Sequence, residues 1–121
     1  MNVRVYNNTI VRNDRNLNVI NDSRPRANAG VIIKNNIFSG DDGVDDGSVH
    51  EALLNVEDWD GRNPKVSGEA MVGALDYNAY FRENATITPR LVSWQQPTDN
   101  LSLVSIGTIL VVEDAVEHYS T

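Results

Sequence analysis

Four aspartates crowd one glycine-rich stretch, Asp41-Asp42-Gly43-Val44-Asp45-Asp46-Gly47. Hard cations such as calcium take carboxylate oxygens from flexible loops. Asp41, Asp42, Asp45 and Asp46 are therefore the candidate ligands for a calcium ion, and no other cofactor is implied. The spacing departs from the EF-hand, because with Gly47 in the glycine position Val44 and Leu53 fall where ligands belong. A solvated acidic loop is the competing reading. Arg24, Arg26 and Lys34 lie close in sequence and supply the cations for a groove that could bind carbohydrate, with Trp59 as a ring to stack on a sugar. Glycoside hydrolysis needs two carboxylates about 5–9.5 Å apart. Asp58, Asp60, Glu69 and Asp76 are available, but 17 acidic residues always offer pairs. His50 and His118 have no nucleophile or metal-ligand spacing around them. No catalytic residue is assigned.

Composition narrows the partners. The chain has 121 residues, a formal net charge of −7 and no cysteine. One domain of this length buries a real core without staples, and disulfide, thiolate and cysteine–zinc chemistry are absent. Such a surface repels phosphate backbones, so nucleic acid is not an expected partner. No stretch approaches the roughly 20 apolar residues that span a bilayer. Met1 to Asn8 lack the basic-then-apolar order of a signal peptide. A full-length chain would then be cytoplasmic, whereas a fragment of a longer enzyme could come from a secreted parent.

The elements that must position these residues repeat. Val3 to Val11, Val31 to Ser39 and Gly73 to Phe81 align so that Asn8, Asn36 and Asn78 coincide, 28 and then 42 residues apart. Each copy has apolar residues at alternate positions, then an Asn-bearing bend, then a short β-branched or aromatic run. Period-2 alternation marks a strand with one buried face. Asn tolerates left-handed backbone angles, and its amide can bond groups that a bend leaves unpaired. Stacked copies would sit about 4.8 Å apart, close enough for Asn8, Asn36 and Asn78 to bond one another as a ladder.

The strings Val5-Tyr-Asn-Asn-Thr-Ile10, Ile33-Lys-Asn-Asn-Ile-Phe38 and Leu75-Asp-Tyr-Asn-Ala-Tyr-Phe81 resemble the coil repeats of right-handed parallel β-helix proteins, the pectin-lyase-like superfamily. The resemblance spans about residues 2–94. It implies an all-β fold, a short right-handed parallel β-helix of three to four coils in a single domain over residues 1–121. Members include polysaccharide lyases and glycoside hydrolases, in which Arg or Lys commonly abstracts a sugar proton. No motif here carries that role onto a particular residue, and family members usually have many more coils. The competing architecture is an antiparallel sandwich with Asn in ordinary turns.

Between the repeats, Asn18-Val-Ile20 reads as a third strand of the first coil, and Ser23 to Ala27 as a turn around Pro25. Residues 39–61 read as an inserted loop whose Leu53, Leu54, Val56 and Trp59 pack partly on the coil wall. Residues 89–112 read as a C-terminal cap or extra strands. Val104, Ile106, Thr108, Ile109, Val111 and Val112 favour strand over helix there. Residues 113–121 form a polar tail.

A solenoid buries its core only between stacked neighbours, and its terminal coils need polar caps. With only Met1 and Asn2 ahead of Val3, the first coil is expected to expose an apolar cross-section and unpaired strand edges. The expected partner is another copy of the chain, most simply in a two-fold dimer through that uncapped end. Three functions remain open: a non-catalytic structural or interaction module, a carbohydrate-binding fragment, or a lyase or hydrolase fragment. The small size and missing motif weigh against the third; the leading expectation is the first, a self-associating module without catalysis.

Overall fold

The computed structural model describes residues 3–13, 15–22, 29–40, 52–82, 90–105 and 110–111. Short apolar-alternating segments become strands because their β-branched and aromatic residues suit a pleated, half-buried surface. The chain visits three sheets in turn and then repeats the circuit. Strands β1 (Arg4–Tyr6), β2 (Thr9–Ile10) and β3 (Leu17–Asn21) make the first layer. A second layer follows from β4 (Val31–Lys34), β5 (Ile37–Gly40) and β6 (Leu54–Asp58). The third comprises β7 (Val72–Asp76), β8 (Ala79–Arg82) and β9 (Arg90–Gln95), entered through a one-turn helix, α1 (Gly68–Met71).

Equivalent strands pair in parallel from layer to layer. One sheet runs β1-β4-β7, the second begins β2-β5-β8, and the third begins β3-β6-β9. The protein is therefore all-β with parallel sheets. An antiparallel sandwich does not describe these pairings. Two later strands run the other way: β10 (Leu101–Ser105) lies antiparallel on β9, and β11 (Leu110–Val111) antiparallel on β8.

Register places like on like. Val5, Ile33 and Leu75 align across the first sheet. Ile10, Phe38 and Tyr80 align across the second, with the Phe38 and Tyr80 rings 5.2 Å apart at 42°. Leu17, Leu54 and Val92, then Val19, Val56 and Trp94, align across the third. One apolar cluster contains Ile33, Phe38, Tyr80, Leu54, Val56 and Val92, with Met71 of α1 joining it. Gly68 is required where α1 crosses the Trp94 indole, because a Cβ there would collide with the ring.

Two expectations need correction. Leu54 to Asp58 does not belong to an inserted loop: it is β6, the third strand of the second layer, buried along its whole length. The left-handed bend residue is also not the ladder Asn but the residue before it. Asn7, Asn35 and Tyr77 have φ of 56°, 55° and 55°, leaving the following Asn free to aim its amide along the stack. No helix among the described residues is long and apolar enough to cross a membrane.

Candidate functional site

Three side-chain columns tie the layers together. At the corner between the first two sheets, Asn8 Nδ2 donates to Asn36 Oδ1 at 3.0 Å, and Asn36 Nδ2 donates to Asn78 Oδ1 at 2.9 Å. The backbone N–H groups of Asn8 and Asn36 bond the same two oxygens, each at 3.0 Å. Asn78 Nδ2 closes the column on the Ile33 carbonyl. Buried amides persist only when so satisfied, and Asn36 and Asn78 are nearly inaccessible. On the third sheet, Asn55 Nδ2 donates to Asn18 Oδ1, and the Ser93 hydroxyl bonds Asn55 Oδ1. At the end of that sheet, Asn21 Nδ2 donates to Asp58 Oδ1 at 2.8 Å, and Asp58 N–H donates to Gln95 Oε1.

The first column has a direction, and among the described residues it starts at Asn8. Asn8 is exposed, and its Oδ1 accepts no bond from any described residue. Among the described residues, strands β1, β2 and β3 are the outermost members of their sheets, all at this end of the stack. Val5, Ile10 and Leu17, which align with fully buried residues of the next layer, are only half-buried here. A groove of about 310 Å³ opens between Val3, Val5, Leu17, Val19, Ile20 and Val31, with Asn18 beside them. The exposed Arg4, Arg12 and Arg15 surround it in sequence. At the other end, again among the described residues, β10 and β11 are the outermost strands of two sheets and β7 of the remaining one.

The groups chosen from sequence for sugar chemistry do not converge. Lys34 is on the first sheet, where its ammonium donates to Asp76 Oδ2 at 2.8 Å. That hydrogen bond, chiefly, holds the Lys34 pKa above its ordinary value, and the Tyr6 and Tyr77 phenols add to the effect. Trp59 lies past the end of β6 on the third sheet, exposed, with its Nε1 donating to Glu57 Oε2 at 2.7 Å. Each described carboxylate named from sequence has a structural partner. Asp58 accepts from Asn21 and from the backbone of Asp60 and Val66, Asp60 from Arg62, Glu69 from Trp94 Nε1, and Asp76 from Lys34. Arg24, Arg26, His50, His118 and the calcium candidates Asp41, Asp42, Asp45 and Asp46 lie outside the described residues. Among the described residues, no group of three or more His, Asp or Glu side chains could hold a metal.

Sequence reasoning missed the second column. Its signal was the triplet Leu17-Asn18-Val19 recurring as Leu54-Asn55-Val56, 37 residues on. The salt bridge was legible too, since Lys34 and Asp76 each stand two residues before a ladder Asn. No protein-family model matches the chain, and no solved structure matches it.

Proposed function

We propose that the three sheets are the walls of a short right-handed parallel β-helix, and that the chain is a structural interaction module that binds another copy of itself through its open first coil. The observation that carries this reading is the apolar groove of about 310 Å³ lined by residues of the first layer, at the end where β1, β2 and β3 have no further neighbour among the described residues. Unpaired edges beside exposed apolar surface are the standard prelude to strand-to-strand association. A layer added there would pair all three edges and bury Val3, Val5 and Leu17 together. The fold already supplies a comparable contact within itself, since β10 and β11 cover the third coil with strands of reversed direction. No catalytic step enters this reading.

The test is light scattering at micromolar concentration. The wild-type chain runs as an oligomer, and Val3→Lys, which places a charge in the groove on a residue already 38% exposed, weakens association at least tenfold. Val11→Lys, at a residue 52% exposed that does not line the groove, leaves it unchanged. A wild-type chain that stays monomeric overturns the proposal.

A second reading is carbohydrate binding. It is supported by the Lys34–Asp76 pair flanked by the exposed Tyr6 and Tyr77, because aromatic rings with nearby hydrogen-bonding groups suit sugar faces. A glycan array tests it, and unsaturated products from uronate polymers would be needed to extend it to lyase activity.

A further inference from the structure

Resting on the self-association just proposed, we infer that two copies join about a two-fold axis on β3, the two β3 strands pairing antiparallel with Asn18 opposite Asn18. Of the three first-layer strands that end their sheets among the described residues, β3 alone has an unprotected edge. Edges are normally blunted by brevity, charge or proline. Strand β1 has three residues and carries Arg4, and β2 has two. Strand β3 has five, Leu17-Asn18-Val19-Ile20-Asn21, with no charge and no proline. Leu17 N–H donates to the Leu53 carbonyl at 3.0 Å and the Asn21 carbonyl accepts from Trp59 N–H at 2.7 Å, so these residues turn backbone groups toward β6. Such groups alternate sides along a strand. Asn18 therefore turns its N–H and C=O to the side where no described strand lies. The same sheet already takes an antiparallel strand at its other end, where β10 lies on β9.

The Asn18 side chain is self-complementary. Its Oδ1 accepts one bond, from Asn55 Nδ2 at 2.9 Å, and an amide oxygen has a second lone pair to offer. Its Nδ2 has no partner among the described residues. Two copies therefore exchange Nδ2–H···Oδ1 bonds and carry the Ser93–Asn55–Asn18 column across the joint. Asn8 lacks this property: both Nδ2 hydrogens are engaged, by the Tyr6 carbonyl and Asn36 Oδ1, so facing copies would present acceptor to acceptor. Pairing through Asn18 also sets Leu17 against the partner's Val19 on the core face beside the groove. A one-residue slip sends these side chains to the opposite face. A two-residue slip sets Leu17 against the partner's Asn21, or Val19 against the partner's Arg15. The exposed Arg15 and Asp22 flank the strand. Antiparallel order brings Arg15 of each copy toward the partner's Asp22, whereas parallel order would place like charge opposite like, which destabilises a strand pair.

The absence of cysteine gives a direct test. Residues of a hydrogen-bonded antiparallel pair have Cα atoms about 5.5 Å apart, inside the span of about 4.4–6.8 Å that a disulfide bridges. Under mild oxidation at micromolar concentration, Asn18→Cys gives a disulfide-linked dimer, and Thr9→Cys, on the exposed face of β2, gives almost none. Asn18→Asp keeps an acceptor for Asn55 Nδ2 but sets carboxylate against carboxylate across the axis, so light scattering shows association weakened at least tenfold. Each variant is first checked for wild-type circular dichroism. Wild-type association without an Asn18→Cys dimer, or matched by Asn18→Asp, overturns the β3 contact while leaving self-association standing. A wild-type chain that stays monomeric overturns both.

Discussion

Removing the Asn36 side chain probes the ladder at its most demanding point. Asn36 is 1% exposed. Its Oδ1 accepts from the backbone N–H and the Nδ2 of Asn8, while its Nδ2 faces the carbonyls of Val5 and Lys34 and the Oδ1 of Asn78. Two amide hydrogens satisfy at most two of those three acceptors at full strength. At about 1 kcal/mol net per bond, with about 1–2 kcal/mol more for a polar group stranded in the interior, Asn36→Ala costs about 3 kcal/mol. Asn8→Ala loses two bonds at an exposed rung where water replaces them, and costs under about 1 kcal/mol by the same accounting. Urea unfolding followed by circular dichroism at fixed protein concentration measures both, read as shifts in midpoint at unchanged slope. Equal costs for the two substitutions would refute the reasoning, because burial of the middle rung would then carry no weight.

Three further outcomes follow from single residues. Tyr80 is fully buried with a hydroxyl that has no partner among the described residues, and burial pushes its pKa far above the ordinary range. Tyr80→Phe therefore stabilises by up to about 1–3 kcal/mol. The folded phenol keeps its proton where the unfolded one loses it, so wild-type stability falls as pH rises past about 10; in alkaline titration the variant falls less steeply. Tyr77 occupies the left-handed bend where the other layers have Asn7 and Asn35. Tyr77→Asn stabilises by about 0.5–1 kcal/mol in thermal unfolding, since Asn visits that region more readily than bulkier side chains. Gly68→Ala drives a methyl into the Trp94 indole and costs about 1–3 kcal/mol, with altered tryptophan fluorescence in the folded state.

The first two sheets were legible in the sequence because their strands flank an invariant spacing. In every copy the ladder Asn follows the last inward-facing residue of the first strand, Val5, Ile33 or Leu75, by three positions. The third sheet was only half legible. Asn18-Val-Ile20 reads as a strand in sequence and is the middle of β3, which extends one residue further each way to Leu17 and Asn21, but Leu54 to Asp58 is buried on both faces, and its Asn, Glu and Asp look like loop residues until Ser93, Trp59 and Asn21 are seen to satisfy them. A buried polar strand imitates a loop in composition. Helix α1 escaped for a different reason: it is a single turn whose Ser67 cap bonds Ala70 N–H, too short for any periodicity to register. The groove beside Val3, Leu17 and Val31 was not legible, because its depth depends on how far those residues stand from one another, and spacing along the chain does not encode that distance.

The parallel stacking of layers through the asparagine column is most directly tested by nuclear Overhauser contacts in the folded chain. Parallel register predicts Asn8–Asn36 and Asn36–Asn78 side-chain amide contacts, together with inter-strand contacts joining Val5 to Ile33 and Ile33 to Leu75. Close Hα–Hα contacts between β1 and β4 or between β4 and β7, the mark of strands running in opposite senses, would contradict it.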